Sequence, residues 1–177
     1  MKPKKPQAHL QLLGTLFLIL QQVRREGLMS IEGPVEHPAE SPLFAAIAPF
    51  DESNTRVYTL LCDALRLLLG GLQNSAEMAR YLAAARKTSG LSNKQQSLFD
   101  ALEITLLASM DGNPPRVAVE FGRQCIPARF KPSFTEFEVF LHDINTRKES
   151  VMTRAETDAA LVRFFEANGK PPKGQSR

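Results

Sequence analysis

The residues able to do chemistry lie far apart in this chain. His9, His37 and His142 are the three histidines and Cys62 and Cys125 the two cysteines. No two of them stand at the short separations by which a loop or a helical turn presents two ligands to one metal ion, so no metal site is expected. Cys125 follows Arg123 by two residues, and a neighbouring cation lowers a thiol pKa. With no histidine near it in sequence, its expected role is that of a small buried apolar residue. Glu136 and Glu138 are paired carboxylates two apart, which a helix places on different faces, so they cannot share acid and base work. Arg116 and Glu120 are four apart on one face and are expected to form an exposed ion pair worth about 0.3–0.5 kcal/mol. Gly70-Gly71 and Gly112 read as turns, since none has the spacing of a phosphate-cradling loop followed by Lys and Ser or Thr. The chain is therefore expected to be no enzyme, with no catalytic residues and no cofactor.

The elements that carry these residues belong to one globular domain. A length of 177 residues with 43% hydrophobic and 23% charged content suits a single domain with a real core. The formal charge of +3 sits at the ends: Lys2, Lys4 and Lys5 at one, Lys170, Lys173 and Arg177 at the other. Without those six cations the body between them is three negative, so the basic pI belongs to two solvated tails, 1–8 and 169–177, and specific nucleic-acid binding is not expected. The strongest apolar run, Leu12 to Leu20, is nine residues long, against the roughly 20 that a membrane span requires. It reads as a core helix. Beside the lysine-rich start, residues 1–20 are also the place for a weak peripheral contact with a membrane. Two cysteines and no cleavage site behind the apolar run point to a reducing cytoplasm, at most peripheral to the inner membrane.

Caps and breakers divide the chain into helices, and no segment alternates with period two, which predicts an all-α bundle of about seven or eight helices and no sheet. The first helix is expected over residues 8–31, stopped by Gly33-Pro34, followed by a proline-rich connector over 33–42 and a short helix begun by Ser41-Pro42 and ending near residue 48. Val57, Leu60, Leu61, Ala64, Leu65 and Leu68 form the buried stripe of a helix over 53–69 that Gly70-Gly71 ends. Asn74 with Glu77 caps a helix to about residue 86, and Ser92 with Gln95 caps the next, to about residue 110. Asn113 as cap and Pro114 as first residue open a helix to Ile126 whose Val117, Phe121 and Cys125 are spaced to face the core. Ser133 and Glu136 fit a capping box before a helix whose Phe134, Phe137 and Phe140 are read as core. Thr153 and Glu156 repeat that signature for a last helix over 153–167, with Ala159, Val162 and Phe165 on one face and Gly169 as its stop. One helical domain thus covers residues 9–168.

Two blocks rise above this background. The first runs Arg24-Arg25-Glu26-Gly27-Leu28-Met29-Ser30-Ile31-Glu32 and on to Glu40-Ser41-Pro42-Leu43-Phe44. The second runs Asn113-Pro114-Pro115-Arg116-Val117-Ala118-Val119-Glu120-Phe121-Gly122-Arg123 and, after a loop, Lys131-Pro132-Ser133-Phe134. Together they resemble the cytoplasmic portion of MotA-type flagellar stator subunits, over about residues 10–145, with the tails and the last helix outside the resemblance. The resemblance implies that Arg24 and Glu32 hold the positions of the charges that meet the rotor's switch protein, with Arg25, Glu36 and Glu40 on the same partner-binding surface. On one continuous helix a separation of eight residues would leave Arg24 and Glu32 within about 80° of each other around the axis.

The departure from that family is equally informative. Its members carry four membrane helices, two before the first block and two between the blocks, whereas here the short connection 87–91 stands in place of the inter-block pair. Ion conduction therefore does not carry over. What the resemblance implies is a protein-binding adaptor or regulator whose partner is a rotor or switch-like protein, with a homo-oligomer as a further expectation. The alternative is an accessory subunit of another bacterial envelope machine, such as conjugative DNA transfer or secretion.

Overall fold

A helix buried on every side sits at the centre of the fold. α1 (Ala8–Glu26) places all of Leu12 to Leu20 out of solvent, which is the pattern of a core helix rather than of an amphipathic surface helix. Thr15 is tolerated among these apolar residues because its hydroxyl donates to the Gln11 carbonyl at 2.9 Å. The structure, a computed structural model, describes residues 8–45, 54–128 and 130–148. Among these every regular element is helical, as the sequence predicts, and one main apolar cluster reaches from Leu12 to Ile144. The last helix expected over 153–167, the tails, and the end of the short helix near residue 48 lie outside the described residues.

The first helix is shorter than its sequence suggests. α1 ends at Glu26 because Gly27 takes a φ of 87°, and a 3-10 turn (Leu28–Ile31) and a short helix, α2 (Glu32–Glu36), follow. Gly33-Pro34 does not stop a helix here. It lies in the first turn of α2, where a proline costs nothing because that amide has no intrahelical acceptor. α3 (Pro42–Ala45) starts as expected, with the Leu43 amide donating to Ser41 Oγ at 3.2 Å.

α4 (Thr55–Leu69), α5 (Ser75–Thr88) and α6 (Asn93–Met110) follow the predicted boundaries closely. Asn74 Oδ1 accepts from the Glu77 amide at 3.1 Å, and Ser92 with Gln95 forms a complete capping box. The connection between α5 and α6 is residues 89–92 and begins two residues later than the expected 87–91, because Lys87 and Thr88 still belong to the last turn of α5. Gly90, at φ 59°, makes the reversal. The Gly90 carbonyl accepts from Arg56 at 2.7 Å, and Arg86 ties α5 to α6 through Asp100 at 2.5 Å and Glu103 at 2.6 Å.

α7 (Pro115–Gln124) begins one residue later than predicted. Pro114 precedes another proline, which forbids it helical dihedrals, so it becomes the extended cap and Pro115 the first helical residue. Asn113 instead closes α6, its side chain donating to the Ala108 carbonyl at 2.9 Å. α8 occupies 134–148 behind the expected capping box, with the Ser133 amide donating to Glu136 Oε2 at 2.8 Å and the Glu136 amide to Ser133 Oγ at 3.3 Å.

Two predicted core faces are corrected. Val117 and Phe121 are 41% and 45% exposed, and α7 buries Ala118, Val119, Gly122 and Arg123 instead. A Cβ on Gly122 would stand 2.2 Å from Thr105 Oγ1 and 2.4 Å from Leu13 Cδ2, so α7 turns its smallest residues inward to close on α1 and α6. In α8, Phe137 is buried, Phe140 is half-buried and stacked on it with centroids 6.2 Å apart, and Phe134 is 58% exposed. Steps of three drift around a helix, whereas Phe137, Leu141, Ile144 and Lys148 recur at four, three and four and form the true inner stripe.

Candidate functional site

The segment joining α1 to α2 carries the first block, and its conformation follows from three contacts. The Gly27 amide donates to the Val23 carbonyl at 2.9 Å as α1 closes, and its left-handed φ then turns the chain away from the helix axis. Ser30 returns its hydroxyl to the Gly27 carbonyl at 2.6 Å. Gln22, buried on α1, donates from Nε2 to the Ser30 carbonyl at 2.9 Å, while its Oε1 accepts from Lys148 Nζ on α8 at 3.3 Å. The turn is therefore held by a side chain of the central helix, which is itself held by α8.

This break changes the relation between the predicted site residues. Arg24 and Arg25 lie in the last turn of α1, where cations face the negative end of the helix, and Glu32 is the first residue of α2, where an anion faces the positive end. Arg24 and Glu32 do not share a helix, so the expected angle of about 80° between them does not apply. All three are exposed, and among the described residues none of them forms an ion pair. Glu36 is exposed but engaged: Arg66 Nε donates to it at 2.9 Å, and the same guanidinium reaches Asp63 at 3.0 Å and the Val35 carbonyl at 3.3 Å, fixing α2 on α4. Glu40 stands exposed in the turn before α3.

Val23 and Ile31, the chain neighbours of Arg24 and Glu32, help to line an apolar cleft of about 280 Å³ that the sequence did not announce. Val23, Leu28 and Ile31 form one wall, Leu65, Leu68 and Leu72 a second, and Leu106 and Met110 a third, with Gln73 and Ser109 as polar edges. Leu28 and Ile31 are three apart, and in a 3-10 turn residues three apart eclipse, so both point inward while Met29 between them is 63% exposed. That spacing was the available signal. The other two walls come from α4 and α6, which are distant in sequence.

The second block folds into a brace rather than a site. Arg116 does not pair with Glu120 as expected. It reaches Glu138 on α8 and lies over the Phe17 ring at 5.8 Å. Glu120 turns to Arg123, receiving its Nε at 2.7 Å and Nη2 at 2.6 Å, and these bonds hold the Glu120 carboxyl below its ordinary value. Arg123 also donates to the Pro132 carbonyl at 2.7 Å, so α7 carries the loop that starts α8.

Elsewhere, burial shields both thiols and one histidine. Burial pushes the Cys62 thiol up to about 11 and raises Cys125 too, in line with the apolar role expected for Cys125. His9 is anchored: its Nε2 lies 2.9 Å from Ser97 Oγ, joining α1 to α6, and burial lowers its pKa. Among the described residues no three His, Cys, Asp or Glu side chains converge as metal ligands, and no helix is long and apolar enough to cross a membrane.

Comparison with known proteins gives a distant similarity. The chain is 20% identical over 219 aligned positions to Motility protein A of Escherichia coli (strain K12), with 82% of this chain and 74% of that protein covered. The same figures hold for Motility protein A of Salmonella typhimurium (strain LT2). An alignment of 219 positions is longer than 177 residues can fill, so it crosses sequence that the relatives have and this chain lacks. No protein-family model matches the chain, and no solved structure matches it.

Proposed function

We propose that this chain is a non-enzymatic adaptor or regulator that binds a rotor or switch-like protein through the surface around Arg24, Arg25 and Glu32. It resembles the cytoplasmic domain of a MotA-type subunit from which the ion path has been removed. The observation that carries this reading is the state of those charges: exposed, unpaired among the described residues, and adjacent to Val23 and Ile31, which line an apolar cleft. An apolar depression with charges at its edge is the make-up of a protein interface, with the apolar part supplying affinity and the charges register. The distant similarity to Motility protein A, over most of both chains, supports a motility-related reading. The alignment must contain a gap in this chain, and we assign it to the tight 89–92 turn as the position of the missing inter-block spans.

Binding of the purified chain to a purified flagellar switch protein tests the reading. The intact chain is expected to bind, and Arg24→Glu or Glu32→Arg to weaken binding by about tenfold or more, a loss of about 1.4 kcal/mol. No binding by the intact chain, or equal binding by both reversed forms, sinks it.

A further inference from the structure

The end of α8 and the apolar cleft lie at the same end of the central helix. Glu138, early in α8, holds Arg116, whose guanidinium lies over the Phe17 ring, and Lys148, late in α8, reaches Gln22 at 3.3 Å. α8 therefore runs along α1 in the same direction and comes out beside its last turns, from which Leu20 and Val23 line the cleft. The 3-10 turn joins the two places: Gln22 bonds its Ser30 carbonyl, and Leu28 and Ile31 of the same turn line the cleft.

The cleft is open at its sides. Ile31 and Leu106 in its floor are fully buried, whereas Val23, Leu28, Leu68 and Met110 keep part of their surface in solvent. Its volume of about 280 Å³ is below the roughly 300–1,000 Å³ of a small-molecule site, and its lining is apolar but for Gln73 and Ser109. Such a hollow suits a few apolar side chains from one face of a helix.

Residues 149–177 follow Lys148 and include the helix expected over 153–167, with Ala159, Val162 and Phe165 on one face. Residues 149–152 extend to about 13 Å and 153–165 as a helix add about 20 Å, so Phe165 reaches well past a 3-10 turn about 8 Å long. A segment tethered this closely holds a local concentration of about millimolar, which favours it over a second copy.

We infer that the segment 149–177 folds back across the first block and seats Val162 and Phe165 in this chain's own cleft. A partner that uses the cleft must then displace the segment first, which sets a threshold for binding there. The inference needs no partner and is independent of the proposed one.

Timed trypsin digestion of the full chain, followed by mass spectrometry, tests this. Arg163 lies in the seated stretch and Lys173 beyond it, so cleavage after Arg163 should be slow and cleavage after Lys173 fast. Phe165→Asp and, separately, Leu72→Asp at the side of the cleft should each speed cleavage after Arg163 by about tenfold or more, the effect of withdrawing one large apolar side chain. Phe121→Asp, on an exposed residue of α7 that does not line the cleft, should leave the rate unchanged. Circular dichroism checks that each variant keeps its helix content. Equal rates in the intact chain and Phe165→Asp overturn the inference. So does a folded Leu72→Asp form that keeps the protection, which would place the segment elsewhere, and so does protection that fades on dilution, which would place it in a second copy's cleft.

Discussion

The hydroxyl oxygen of Thr105 on α6 stands 2.2 Å from the point where a Cβ on Gly122 of α7 would lie, so the two helices touch where one of them has no side chain. Leu13 Cδ2 from α1 closes the same point at 2.4 Å and the Ala101 carbonyl at 3.1 Å. Three helices converge there, and only the absence of a side chain lets them do so.

Gly122→Ala should therefore destabilise the protein although alanine favours a helix by up to about 1 kcal/mol. The Leu13 side chain can move aside, but the Ala101 backbone carbonyl cannot without shifting α6. Forcing a methyl into this contact is expected to cost a net of about 2 kcal/mol, seen as a melting temperature lower by roughly 4–8 °C. A variant that melts at or above the intact temperature would mean that α7 is loosely held.

Replacing Gln22 should loosen the first block without unfolding the core. Gln22→Ala removes the donor to Ser30 and one acceptor of Lys148 in a buried setting, a loss of about 1–3 kcal/mol. The readout is local: amide exchange of residues 28–31 should speed up more than that of α4 or α6. Equal acceleration everywhere would show that the turn does not depend on this side chain.

Stability should fall with acidification in a window set by His9. Its folded pKa is lowered from 6.5, with burial as the main cause, so the unfolded chain binds a proton more readily than the folded one. Its contribution is complete above 6.5 and is lost as pH falls from there toward the folded value. Glu120 adds to this at lower pH: its folded pKa is depressed by Arg123, so its stabilisation is present above the ordinary carboxyl value and disappears as pH falls through the folded one. His9→Gln, which can still bond Ser97, should flatten the upper part of the profile and leave the lower part in place. Denaturant melts across pH would reveal an unchanged slope if this assignment is wrong.

Both thiols should be slow to alkylate in the native protein at neutral pH. The thiolate is the reactive form, and a Cys62 value of about 11 leaves almost none of it, behind a surface that exposes only 4% of the residue. Cys125, half-buried and less shifted, is expected to react first. Mass spectrometry after a timed pulse would show the order, and a faster Cys62 would contradict it.

Charge reversal at the first block should leave the fold nearly as stable as before. Arg24→Glu and Glu32→Arg break no ion pair among the described residues, and each loses only a favourable helix-end interaction, about 0.3–1 kcal/mol. Thermal melts should therefore move little in forms whose binding changes greatly. A large drop in stability would mean that these charges serve the fold.

The helices were legible wherever their ends are set by neighbours in sequence. Ser92 with Gln95, Ser133 with Glu136 and Ser41 before Pro42 act within three residues of each other, and each appears where sequence places it. The break at Gly27 was less legible. An isolated glycine inside a helical pattern can be tolerated or can end the helix, and the contact that holds the new turn comes from Gln22 with help from Lys148, 126 residues away.

From sequence alone came the all-α class, the central role of Leu12 to Leu20, most helix boundaries, and the two blocks that resemble a stator's cytoplasmic domain. These rest on short-range chemistry: caps, proline geometry, and apolar residues at helical spacing. Only the tertiary structure decided which face of α7 turns inward, that Arg24 and Glu32 lie on separate helices, and that a cleft opens between them and α4 and α6. The physical reason is close approach. Val117 and Phe121 turned inward would bury more apolar area than Ala118 and Gly122, but three helices meeting at one point reward the smallest side chains, and no local pattern carries that information.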